Sequence, residues 1–107
     1  MDIASLENLI AGGQDSAMLR LMLARLLVQA GQLEEAASHL TSAVMQKPDY
    51  SAAWRELGQV HRTLGQNESA LTAWRKGIEV ARANGDKQAE KEMGVFVRRL
   101  LKANSDT

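Results

Sequence analysis

Residues 51–77 read SAAWRELGQVHRTLGQNESALTAWRKG. In helical spacing, Trp54, Leu57, Gly58 and His61 fall at i, i+3, i+4 and i+7 and share one face. Ala70, Trp74, Gly77 and Ala81 do the same on a second helix, flanked by Leu71 and Ile78. Each face alternates very large with very small side chains. A glycine inside a helix costs about 1 kcal/mol against alanine, so Gly58 and Gly77 need a packing reason. With Ala70 they let neighbouring backbones approach, and Trp54 and Trp74 fill the space beside them. Leu64-Gly65-Gln66-Asn67 supplies the turn, with Gly65 in a left-handed cap and Asn67 as the next N-cap.

The same pattern recurs at an offset of 34 residues. Gly65 lands on Gly31, Gln66 on Gln32, Ala70 on Ala36 and Trp74 on Leu40. Gly77 lands on Ala43, Leu57 on Leu23, Gly58 on Ala24 and His61 on Leu27. Small maps on small and large on large; Trp54 onto Arg20 is the one poor match. The single proline, Pro48, closes the first copy.

These residues resemble the tetratricopeptide repeat (TPR), a helix–turn–helix of about 34 residues with W-x-x-L-G-x-x-Y followed by A-x-x-x-F. His61 replaces the usual tyrosine, and Arg82 stands where a second closing proline would be expected. The expected fold is all-α, a TPR-type stack of helical hairpins (an α-solenoid) with about six helices. Residues 17–50 and 51–84 read as the two repeats, 1–13 as an N-terminal helix and 86–103 as a C-terminal capping helix, all in one domain. Roughly three repeats are normally needed for stability, so the flanking helices stand in for a missing one. The ending Gly85-Asp86-Lys87-Gln88, Lys91-Glu92 and Val95-Phe96-Val97-Arg98-Arg99-Leu100 resembles that of small stand-alone bacterial TPR proteins. That resemblance implies a shared fold and carries no agreed biochemical role.

Composition narrows the function classes. In 107 residues there are 13 Lys+Arg and 13 Asp+Glu, so the net charge is zero. This argues against nucleic acid or an anionic membrane as the main partner. There is no cysteine, hence no disulfide or thiol chemistry. The start, MDIASLENLIAGG, lacks the basic region and apolar core of a signal peptide, and no apolar run approaches the ~20 residues of a membrane span. The expectation is a cytoplasmic protein without a cofactor, monomeric or weakly dimeric.

Outward from the repeats, Asp2 caps a helix with the stripe Ile3, Leu6, Leu9 and Ile10, ended by Gly12-Gly13. Asp15 or Ser16 caps a helix over about residues 17–30 that is apolar nearly all round, as expected of a helix covered on several sides. Either the first helix lies on it, or Met18, Leu21 and Met22 line a groove. A helix over about 33–46 follows, with Glu34 and Glu35 suited to its first turn; Asp49 is placed to cap the next. The second repeat's last helix runs to about Ala83, and Asn84-Gly85-Asp86 ends it and starts another. There Ala89, Met93, Phe96, Val97, Leu100 and Leu101 form the apolar stripe of a cap with Phe96 as anchor; Gly94 faces either solvent or a close helix crossing. Asn104–Thr107 reads as a frayed tail.

No catalytic constellation emerges. His39 and His61 stand in different helices without metal-ligand spacing; His61 reads as a packing residue and His39 as a surface one. No G-x-S-x-G and no phosphate loop is present. The chain reads as a non-catalytic adaptor, with no metal site. In TPR proteins the first helix of each repeat lines a concave groove. By register the resemblance assigns Met18, Leu21, Met22, Arg25 and Gln29, then Ala52, Arg55, Gln59, Arg62 and Thr63, to binding a peptide or protein segment. Arg55, Gln59 and Arg62 share a face, and arginine forks suit carboxylates. The alternatives are a solvated charge stripe, or a structural module that self-associates through residues 19–28 and 93–101. The carboxylate clamp of chaperone-binding TPRs is not matched: Leu21 replaces a lysine, and Glu56 and Gln59 replace asparagines.

Overall fold

A computed structural model describes residues 1–105. Six helices follow in order: α1 (Ile3–Ala11), α2 (Ala17–Gln29), α3 (Leu33–Gln46), α4 (Ser51–Thr63), α5 (Asn67–Ala83) and α6 (Lys87–Ser105), with no strand among the described residues. Each packs on the next, and α4 also meets α6. The molecule measures 46 × 31 × 19 Å, and its smallest extent is about two helix diameters. α2, α4 and α6 form one layer, backed by α3 and α5.

Local chemistry sets most helix ends. The Asp2 carboxylate accepts from the Ser5 N–H at 2.8 Å, and the Ser16 hydroxyl accepts from the Leu19 N–H at 3.2 Å. The Asp86 carboxylate accepts from the Ala89 N–H at 3.1 Å. Gly31 and Gly65 take φ of 77° and 78° and end α2 and α4 in the same way. Gln32 N–H donates to Leu27 O, and Gln66 N–H donates to His61 O, which satisfies the last carbonyls of each helix.

Two expected caps are not used. Asp49 does not cap α4, whose N-cap is Tyr50 without a side-chain bond; Asp49 pairs with Lys47 at 3.2 Å instead. Asn67 is the first residue of α5 rather than its cap, and its amide donates to Asn104 Oδ1 at 3.3 Å, tying the start of α5 to the end of α6. α6 therefore continues through Asn104 and Ser105, part of the stretch read as a frayed tail; Asp106 and Thr107 lie outside the described residues.

The core runs in two continuous sections. The first joins Leu6 of α1 to Leu21, Leu23 and Leu27 of α2, Leu40 and Val44 of α3, and Leu57 and Val60 of α4. α1 thus covers α2, as its neighbour's all-round apolar character requires. The second joins Leu71 and Trp74 of α5 to Met93 and Leu100 of α6. The alternation of large and small residues is what closes it. A methyl group on Gly58 would collide with the Trp74 indole. One on Gly77 would lie 2.5 Å from Met93 Sδ and 3.0 Å from Trp54 Cβ. Both indoles are anchored: Trp54 donates to Pro48 O at 2.8 Å and Trp74 to Arg55 O at 3.1 Å.

α6 covers α5, but its anchor is Met93, fully buried, with Leu100 beside it. Phe96 is half-buried, tilted at 44° against Trp74 with ring centroids 5.3 Å apart. Shifting α4 by 36 residues explains this arrangement: Ala53 falls on Ala89, Leu57-Gly58 on Met93-Gly94 and Val60 on Phe96. α6 has the pattern of another first helix, but no described helix follows to fill the notch at Gly94. A methyl group there meets only the flexible Arg98 Nη1, at 3.4 Å.

These contacts separate two glycines and two anchors by thermal melts. Gly58→Ala should destabilise by roughly 1–3 kcal/mol through overpacking, while Gly94→Ala should stabilise by up to about 1 kcal/mol. Met93→Ala should cost about 2–5 kcal/mol. Phe96→Ala should cost less, roughly 1–2 kcal/mol, because the ring is only partly removed from water. A reversed order of Met93→Ala and Phe96→Ala would show the anchor to be misassigned.

Candidate functional site

The face formed by α2, α4 and α6 carries two adjoining clefts. One, of about 720 Å³, lies between α2 and α4; the other, of about 380 Å³, lies between α4 and α6. Gln59 and Thr63 line both, so the clefts join into one trough. Helical spacing places Arg55, Gln59 and Arg62 along it. The short turn at Gly31 brings Leu33 beside Val28, and with Val60 these give the first cleft its apolar lining.

The register-assigned residues divide on this face. Arg25, Gln29, Arg55 and Gln59 line the first cleft, and Gln59 and Arg62 the second. Leu21 does not take part: it is 2% exposed and belongs to the core, turned inward by the covering of α2. Met18 and Met22 are exposed, 60% and 38%, but lie outside both clefts. Ala52 packs against the core.

Charges on the trough are arranged across helices. Glu56 accepts from Arg25 Nη2 at 2.7 Å and from Arg25 Nε at 2.9 Å, which joins α4 to α2. Arg55 donates to Glu92 at 3.0 Å, joining α4 to α6, and its other nitrogen lies 3.7 Å from Glu56. Two arginines and two glutamates thus form one neutral chain spanning three helices. Arg62 and Arg99 have no ion-pair partner among the described residues. They share the second cleft with Trp74 and Phe96.

Sequence reasoning identified the arginine stripe and missed Glu56 and Glu92 as its partners, and Arg99 and Phe96 as cleft residues. The 36-residue shift contains the missing signal, since it sets Glu92 on Glu56 and Arg99 on Thr63. Treating α6 only as a cap concealed it.

A second polar cluster lies at the junction of α2 and α3. Arg20 grips Asp15 at 2.7 and 2.8 Å and reaches His39 Nδ1 at 3.0 Å, while Gln46 donates to Asp15 at 2.8 Å. The guanidinium holds the Asp15 carboxyl far below the usual carboxylate range. His39 is half-buried rather than a plain surface residue. Burial and the Arg20 charge lower its pKa from 6.5 against the opposing pull of Glu7, Glu35 and Asp15. His61 is also half-buried, with Nδ1 2.7 Å from Gln66 Oε1, a contact that stays within its own hairpin. Among the described residues no three His, Asp or Glu side chains group so as to hold a metal.

Comparison with known proteins fits this geometry. The tetratricopeptide repeat family model matches residues 21–87. A TPR repeat-containing protein of Pseudomonas aeruginosa is 45% identical over 105 residues, covering 98% of this chain and all of that one. The chain belongs to the tetratricopeptide repeat family. A solution structure of a Bordetella parapertussis protein is 35% identical, with a TM-score of 0.82 over 96% of this chain and 90% of that one. The crystal structure of a tetratricopeptide repeat domain protein from Salinibacter ruber shares the fold at 23% identity, with a TM-score of 0.77 over 82% of this chain and 98% of that one. TPR domains are in general non-catalytic modules that bind other proteins. No helix among the described residues is long and apolar enough to cross a membrane.

Two measurements test the polar clusters. Glu56→Gln should leave Arg25 without its ion pair and cost about 1 kcal/mol, seen as a Tm lower by roughly 4–8 °C. The difference should shrink as salt is raised. Because His39 has a lowered folded-state pKa, the stability it contributes is complete above 6.5, the ordinary value, and is lost as pH falls through the folded value. The Tm of the native chain should therefore fall on acidification below pH 6.5, and His39→Gln should flatten that slope. An unchanged slope would exclude His39 as its source.

Proposed function

We propose that the protein is an adaptor that binds an extended peptide or protein segment along the trough of α2, α4 and α6. The carrying observation is the continuity of the two clefts through Gln59 and Thr63. An extended chain advances about 3.3 Å per residue and presents alternate side chains to opposite sides. A segment laid across the three helices would place apolar groups against Val28, Leu33 and Val60 and polar groups near Gln59 and Arg62.

Self-association is the weaker reading. Its basis was the apolar surplus in residues 19–28 and 93–101, and most of that surplus is spent inside the molecule: Leu21, Leu23, Leu27, Met93 and Leu100 are all core. Met22 and Leu101 are what these two segments leave exposed among their large apolar side chains, besides Val28 in the trough.

Val28 is 41% exposed, so Val28→Arg should fold normally while charging the floor of the first cleft. Affinity capture from a lysate of the source cells should return partners with the native chain that Val28→Arg loses. Matching partner lists would argue against the trough. Light scattering over a concentration series should report a monomer throughout.

A further inference from the structure

The trough is not electrically uniform. Its α2–α4 part is internally neutralised, because Arg25, Glu56, Arg55 and Glu92 satisfy one another. Its α4–α6 part is not. Arg62 and Arg99 come from two different helices into one cleft of about 380 Å³, and neither has an ion-pair partner among the described residues. Trp74 and Phe96 line the same cleft. Phe96 leaves part of its ring uncovered and braces against Trp74. No glutamate or aspartate lines this second cleft. A chain of zero net charge thus concentrates two uncompensated cations against an aromatic surface.

We propose that this cleft selects an acidic segment: a peptide stretch in which two neighbouring carboxylate side chains adjoin an aromatic or large aliphatic residue. The proposal rests on the reading of the trough as a peptide groove and adds its charge preference. Two guanidinium forks can each take a carboxylate in bidentate fashion. The uncovered part of Phe96 supplies the apolar contact, where ring edges and aliphatic groups pack well. The neutral chain of ion pairs makes the preference local. Arg25 and Arg55 are already occupied, so the attraction falls on Arg62 and Arg99. The occupant is an internal segment rather than a chain end, because the cleft opens through Gln59 and Thr63 into the larger one and a bound chain can continue there.

The test uses a fluorescent peptide, blocked at both ends, with two adjacent aspartates flanked by leucine and phenylalanine. Its analogue carries asparagines instead. The full-length protein should bind the aspartate peptide at least about tenfold more tightly than the asparagine analogue. The advantage should fall as salt rises. Arg62→Gln/Arg99→Gln should remove the advantage while leaving the thermal melt unchanged, since neither side chain has an ion-pair partner among the described residues. Amide shifts on titration should concentrate in α4 and α6. Equal binding of both peptides at the trough would overturn the charge preference and leave the groove reading standing. Shifts confined to α1, or to residues of α3 and α5 other than Leu33 and Trp74, would remove both readings. No binding of the aspartate peptide at its solubility limit would overturn the preference. So would tighter binding of an asparagine peptide with a free C-terminal carboxylate, which would assign the cleft to a chain end.

Discussion

The Trp74 indole seated against Gly58 is the contact on which the arrangement of the last three helices depends. Glycine leaves the backbone of α4 bare, so α5 can approach until the indole N–H reaches the carbonyl of Arg55. The buried nitrogen thereby keeps a partner, which a purely apolar contact would not provide. From there Trp74 also packs against Phe96, and Gly77, one turn further along α5, admits Met93. Close approach at one glycine thus determines where the next helix can lie. This nearest-neighbour propagation is characteristic of repeat stacks, in which each unit buries its apolar face only against the adjoining unit.

The first repeat solves the same problem with different chemistry. Where the second repeat has Trp54, the first has Arg20. Its aliphatic stem can pack while its guanidinium needs acceptors. Asp15 provides them from the turn before α2, and His39 from α3. Gln46 adds a third bond to Asp15 from the end of α3. A position that is apolar in one repeat is thus a satisfied polar network in the other, and it includes a histidine whose pKa is lowered by burial and by the Arg20 charge.

The charges of the trough serve the fold before they serve a ligand. Glu56, 17% exposed on its side chain, lies between Arg25 and Arg55 and ties α4 to α2 at the rim of the cleft between them. Isolated surface pairs contribute little, but a connected set with bidentate geometry loses less side-chain entropy per bond. A ligand therefore meets a surface on which two of the three expected arginines, Arg25 and Arg55, are already engaged. What stays open is set by α6, the helix that combines the burial pattern of a repeat's first helix with the place of a cap.

By itself the sequence determined the helices and their pairing. Spacings of three and four residues, glycine after α1, α2, α4 and α5, and the offset of 34 residues are local or periodic signals, and they fall where backbone chemistry requires them. Tertiary structure decided which member of a stripe is buried and which charge is paired. Met93 rather than Phe96 became the anchor because only Met93 points at the gap left by Gly77. Leu21 left the groove because α2 is covered on several sides, so its inward face is wider than a repeat register implies. Arg25 and Arg55 found glutamates on neighbouring helices, 31 and 37 residues away, at separations where helical periodicity carries no information. Helix identity is written in near neighbours along the chain; the character of a surface depends on side chains that only packing brings together.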